Sequence, residues 1–185
     1  MKPIFHYAGN TFFQNPSDKI LMSKIRIFSY LPNPRVWKAV IAGKLCNVEV
    51  EVIGDKPKNL PNWLWDYDAR ILEEEEKQSS PHRLEGKRGF TGDLFKTSEF
   101  LNQHPFGTVP AAFVGENKIG VFESNSIMRA VTRISSSTEL YGGKDSSLSS
   151  RIDSFLDANL VFSREHQVYI LSIENLNSYT YERMT

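Results

Sequence analysis

From residue 24 onward the apolar and polar positions fall into short periods that change type several times. Lys24-Ile-Arg-Ile-Phe-Ser alternates polar and apolar over six residues, the pattern of a half-buried strand. After the connection Tyr30-Leu-Pro-Asn-Pro, the stretch Arg35–Leu45 repeats at helical spacing, and its predicted apolar face is Val36, Trp37, Val40, Ile41 and Leu45. Asn33 followed by Pro34 marks the helix start, with Asn as N-cap and Pro in the first turn, where its missing N–H costs nothing. Val48–Ile53 is a second strand. Residues 24–53 therefore form a βαβ unit, whose strands pair in parallel through a right-handed crossover.

The sharpest patterning lies between His104 and Arg133. Two apolar runs, Ala111–Val114 and Ile119–Phe122, flank Gly-Glu-Asn-Lys and predict a β-hairpin with a tight polar turn. Apolar residues then recur at Ile127, Met128, Val131 and Ile134, so a helix follows at once, with Ser or Asn just before it expected as the N-cap. Val109-Pro110 stands where the chain turns into the first strand of the hairpin. A cis bond there aims the Val109 N–H and C=O outward rather than into a sheet. Outward backbone can pair with a peptide-like ligand, and the N–H groups opening the helix near Ser124 suit a carboxylate. On the residues alone, two readings stand: a clamp for a small acidic peptide, or a structural turn beside an ordinary capped helix.

The remaining segments are less regular. Residues 1–23 mix aromatics with Asn, Gly and Pro and predict an irregular extension, packed through Phe12 and Phe13. Residues 54–96 do not fit this compact plan. Trp63, Trp65 and Tyr67 are expected to pin the segment to the domain, with a groove or oligomer contact as the alternative, and Glu73–Glu76 to form a solvated face. Thr97–Gln103 is a short helix, and His104 is a turn residue with no second ligand at metal-binding spacing, so no metal site is expected. Ser- and Gly-rich 135–147 reads as a linker. Residues 148–185 start a further helical segment, with Ser150-Arg-Ile-Asp153 as a capping box.

Composition narrows the function classes. The chain has 185 residues, 40% of them hydrophobic and 12% aromatic, enough for a real core. Lys+Arg and Asp+Glu are 22 each, so no basic field draws nucleic acid or anionic lipid. No apolar run reaches the roughly 20 residues of a membrane span, and the N-terminal stretch lacks the features of a secretory signal. Cys46 stands alone, which excludes an intramolecular disulfide, fits a reducing, cytoplasmic setting, and predicts a buried thiol.

The order Pro-Phe-Gly-x-Val-Pro-Ala, then Phe-Glu-Ser-Asn-x-Ile, resembles the glutathione-site half of the N-terminal domain of cytosolic glutathione transferases, and a weaker match reaches back to Lys24. The resemblance implies an α/β fold: a thioredoxin-like mixed sheet with flanking helices over 24–134, in which 54–96 is an insertion into the family's shorter crossing, followed by a partial all-α segment shorter than the family's second domain, as in a truncated product. It implies glutathione as co-substrate. Val109, before cis-Pro110, would pair with the cysteinyl backbone, while Glu123 and Ser124 would hold the γ-glutamyl end. Thr108 departs from the family's Lys or Gln, which leaves the glycyl carboxylate without an assigned partner. The family's thiol-activating Ser or Cys falls on Asn33, with Ser29 and Tyr30 as nearby hydroxyls. With no Cys at that position, disulfide exchange is disfavoured. The implied activity is conjugation of glutathione to an electrophilic small molecule, with a homodimer left open. The alternative is a non-catalytic module similar to the gamma subunit of the eukaryotic elongation factor 1 complex, which the order Tyr-x-x-Asn before Arg-x-x-Lys-Ala also resembles. A third is a half-site lacking the second-substrate pocket.

Overall fold

The computed structural model describes residues 24–86, 90, 92–137 and 139–172. The expected extension with Phe12 and Phe13, and the helical segment beyond 172, lie outside the described residues. The described residues divide between Ser136 and Ser137 into two compact units.

In the first unit, β1 (Lys24–Tyr30) is followed by α1 (Pro34–Cys46) and β2 (Glu49–Asp55), the strands pairing in parallel from Lys24↔Glu49 to Tyr30↔Asp55. The α1 cap is the one the sequence predicts: the Asn33 side chain accepts from Arg35 N, and Pro sits in the first turn. β7 (Ala111–Val114) and β8 (Ile119–Phe122) form the hairpin, and β7 runs antiparallel beside β1. The resulting order, β2-β1-β7-β8, is a thioredoxin-like mixed sheet. Gly54 closes its parallel half at a position no side chain could occupy, since a Cβ there would lie 1.7 Å from the Ser29 carbonyl oxygen.

One face of this sheet carries α1 and α4 (Ser124–Ile134). Ile25, Ile27, Ala112, Ile127 and Val131 pack there with Val36, Ala39, Ala42 and Cys46. This corrects the expected apolar face of α1. Val36 is inside, but Trp37, Ile41 and Leu45 are 54%, 58% and 69% exposed. The cause is close approach: a Cβ on Gly43 would lie 2.5 Å from Val50 Cγ2, so the helix rests on β2 through its small residues.

Residues 54–96 cover the other face, and they build a sheet of their own. β3 (Trp63–Trp65), β4 (Arg70–Ile71), β5 (Arg83–Glu85) and β6 (Asp93–Lys96) take the order β4-β3-β6-β5. The anchoring rings sit as expected. Trp63 and Trp65 are buried against Phe28, Trp65 also meets Phe100, and half-buried Tyr67 stands edge-on to Phe113. Arg26 adds a polar pin, with Nε 2.8 Å from Glu51, NH1 2.6 Å from Asp68, and its guanidinium 4.4 Å from the Tyr67 ring centre. The glutamate run forms the first turn of the short helix α2 (Glu74–Ser79), which buries nothing, and α3 (Ser98–Gln103), capped by Thr97, leads into the Pro-Phe-Gly turn.

In the second unit a 3-10 turn at Glu139–Tyr141 precedes α5 (Ser146–Ser172). Asp145 caps α5 by accepting from the N–H groups of Ser147 and Leu148, so the helix is already under way at Ser150. The expected capping box at Ser150–Asp153 is therefore helix interior, and Asp153 instead accepts from the Tyr141 hydroxyl at 2.7 Å. None of the described helices is long and apolar enough to cross a membrane.

Candidate functional site

Strand register gathers the candidate residues at one end of the first sheet. Ala111 pairs with both Phe28 and Phe122. Tyr30 thus ends β1, Pro110 precedes β7 and Glu123 follows β8 at a common edge, and α1 and α4 both start there. Two helix N-termini so converge on one rim, but the first turn of α1 is already satisfied: Pro34 has no N–H, and the Arg35 and Val36 N–H groups donate to the side chain and the carbonyl of Asn33.

Val109–Pro110 is cis, as the turn suggested; a second cis bond, Leu31–Pro32, gave no comparable signal in the sequence. Val109 is half-buried, and no hydrogen bond joins its N–H or C=O to another described residue. The turn before it is held from both sides. The Gly107 N–H donates to the His104 carbonyl at 2.7 Å, and Lys96 Nζ donates to the Gly107 carbonyl at 2.8 Å.

Across the hairpin, the expected Ser or Asn cap of α4 is corrected. The capping position belongs to Glu123, whose side chain caps nothing, and Ser124 and Asn125 are buried in the first turn. Glu123 is exposed, with φ 65° and ψ 125°. A non-glycine residue rarely adopts that backbone, which costs about 1–3 kcal/mol and persists only where its surroundings enforce it. Beside it, the Lys38 ammonium on α1 donates to the Asn125 side chain and ties the two helices together. Burial, with Arg35 and Arg129 nearby, lowers the Lys38 pKa.

The candidates for thiol activation separate. Ser29 and Asn33 are fully buried, on the face of β1 that carries α1. Asn33 Nδ2 donates to Ser29 Oγ at 2.9 Å while its Oδ1 accepts from Arg35 N at 3.0 Å, so both ends of the amide are engaged within the fold. Tyr30 lies on the opposite face, half-buried, beside the cluster that includes Val109. Of the three, Tyr30 alone offers surface.

Lys96 is the residue that motif reading missed. It ends the last strand of the insertion, with its ammonium 4.7 Å from the Trp65 ring centre and no carboxylate partner among the described residues. Burial lowers its pKa. No short pattern signals it, because contact between the insertion and the Gly107 turn brings it to the rim.

No protein-family model matches the chain, and no curated protein does. Among solved structures it is similar to Ure2p in complex with glutathione, at 17% identity and a TM-score of 0.48, over 90% of this chain and 63% of that one. The chain thus spans less than two thirds of that structure, and a likeness at this level assigns no family.

Proposed function

We propose that the chain binds glutathione at this rim and presents its thiol to a small electrophile. The observation that carries the proposal is the Val109 backbone, unpaired among the described residues, standing across one hairpin from the strained Glu123 and the start of α4. The cysteinyl residue of glutathione pairs with Val109 as an added strand would. The γ-glutamyl carboxylate meets the N–H and hydroxyl of Ser124, and Glu123 meets the amine. Lys96 takes the glycyl carboxylate, the role that Thr108 cannot fill. Tyr30 donates to the thiolate, with the Ser29–Asn33 pair fixing the turn behind it. Donation from a phenol favours the charged sulfur and lowers its pKa.

A non-catalytic interaction module is the second reading. One observation favours it: Asn33 and Ser29, at the expected activating positions, have no exposed surface. Calorimetry and a conjugation assay separate the two. Micromolar to millimolar binding of glutathione, weakened about ten- to a hundredfold in Ser124→Ala by loss of one hydrogen bond to a charged group, supports the site. Equal affinity in a folded Ser124→Ala protein retires it. Binding without turnover, unchanged in Tyr30→Phe, leaves a glutathione-binding module rather than an enzyme.

A further inference from the structure

We propose that Ser80 is a phosphorylation site for a proline-directed serine/threonine kinase, and that a phosphate there loosens α2. Ser80-Pro81 is the one Ser-Pro or Thr-Pro step in the chain, and Arg83 follows at the third position after the serine. Those are the two features such a kinase reads: a proline, which has no N–H to leave unpaired in the kinase's groove, and a cation two residues beyond it. The backbone is already set for that reading. Ser80 has φ −67° and ψ 124°, the extended form that the residue before a proline takes, and its bond to Pro81 is trans. Its hydroxyl accepts from the His82 N–H at 3.3 Å and donates to no described residue, whereas the Ser79 hydroxyl is spent on the Glu75 carbonyl at 3.0 Å.

A kinase needs the acceptor and its neighbours drawn out as a strand, and both flanks of Ser80 yield easily. α2 is six residues long and buries none of them, so its last turn opens at little cost. On the other side Pro81 and His82 form a turn, and Arg83 begins β5, an edge strand with all three residues exposed. Arg83 is paired with Asp93 at 2.7 Å, both side chains about half exposed, and a surface pair of this kind holds its partner weakly. The Ser80 oxygen attacks the γ-phosphorus of magnesium-bound ATP. The new O–P bond forms as the β–γ anhydride breaks, ADP leaves with that electron pair, and the hydroxyl proton passes to the kinase's carboxylate base. The product carries about −1.5 to −2 charge just past the C-terminal end of α2, where the helix dipole is already negative, close behind the Glu73–Glu76 run. Within α2 the one cation, Lys77, is already engaged by Glu74 at 2.6 Å and by Asn62 at 2.9 Å, so the repulsion goes uncompensated in the helix. Neither step depends on glutathione binding.

The full chain is incubated with a purified cyclin-dependent kinase and ATP, and the phosphate is located by mass spectrometry of its peptides. The expected result is a single phosphate on Ser80, absent in Ser80→Ala, slowed many-fold in Pro81→Ala and slowed several-fold in Arg83→Ala. Ser80→Ala removes one long hydrogen bond at a half-buried turn and leaves the fold intact. Amide hydrogen exchange over 74–79 should run several-fold faster in the phosphorylated chain, with exchange in β1 and β7 unchanged. No incorporation, incorporation on Ser79 or elsewhere with Ser80 left free, or an unchanged rate in Pro81→Ala overturns the site. Phosphate on Ser80 with exchange over 74–79 unchanged or slower overturns the loosening of α2.

Discussion

His104 gives the fold a measurable acid sensitivity. Its ring is 1% exposed, 5.1 Å from the Phe100 ring centre, 4.8 Å from Phe113 and 6.4 Å from Phe122, and neither ring nitrogen has a hydrogen-bond partner of normal geometry among the described residues. Burial pushes its pKa from 6.5 down to about 4, with the nearby Ala112 backbone opposing the shift in part. The folded-state value is depressed, so the unfolded chain takes up the proton first. The neutral ring contributes its full stability above pH 6.5, and that contribution is lost as pH falls from 6.5 toward 4. A shift of this size corresponds to about 3 kcal/mol across the window, with a slope approaching about 1.4 kcal/mol per pH unit. The assay is urea denaturation of wild type and His104→Phe at several pH values between 7.5 and 4. The variant keeps an aromatic ring among the three phenylalanines and removes only the titrating group. Other histidines and carboxylates cancel in the difference between the two proteins. The gap should shift in favour of the variant by about 2–3 kcal/mol on going from pH 7.5 to 4.5. Parallel pH profiles for the two proteins would refute the claim that His104 is held neutral and unpaired.

Lys96→Met should weaken glutathione about tenfold in calorimetry, yet leave γ-glutamylcysteine, which lacks the glycyl carboxylate, with equal affinity for both proteins. Trp65→Ala should cost about 3–5 kcal/mol in denaturant unfolding and expose 54–96 to proteolysis, because it empties the packing between the two sheets. Asn33→Ala should lower stability by about 1–2 kcal/mol through loss of the α1 cap, again by denaturant unfolding. If Asn33 serves as a cap rather than a thiol donor, the pH profile of conjugation should stay where it was in wild type.

Local pattern alone determined the strands of the first sheet, the hairpin and the turn. Alternation over 24–29 and the two apolar runs within 111–122 marked these segments as strands. Asn33-Pro34 fixed where α1 starts, and Val109-Pro110 between Gly107 and the hairpin marked the cis turn. Each of these depends on residues within a few positions of one another, so short-range sterics and hydrogen bonding decide them.

Tertiary packing decided what distance along the chain concealed. Periodicity announced that α1 is amphipathic but ranked its faces by size, and the close seat on β2 reversed that ranking in favour of Ala39, Ala42 and Gly43. Burial turned Asn33 and Ser29 toward one another, because an interior amide must spend its donors on neighbours when water is absent. Lys96 reached Gly107 only because the insertion's four short strands, individually too brief to show a period, assemble into a sheet against Phe28 and Phe100. Cross-strand partners from separate segments complete that sheet, and no window of sequence contains them all.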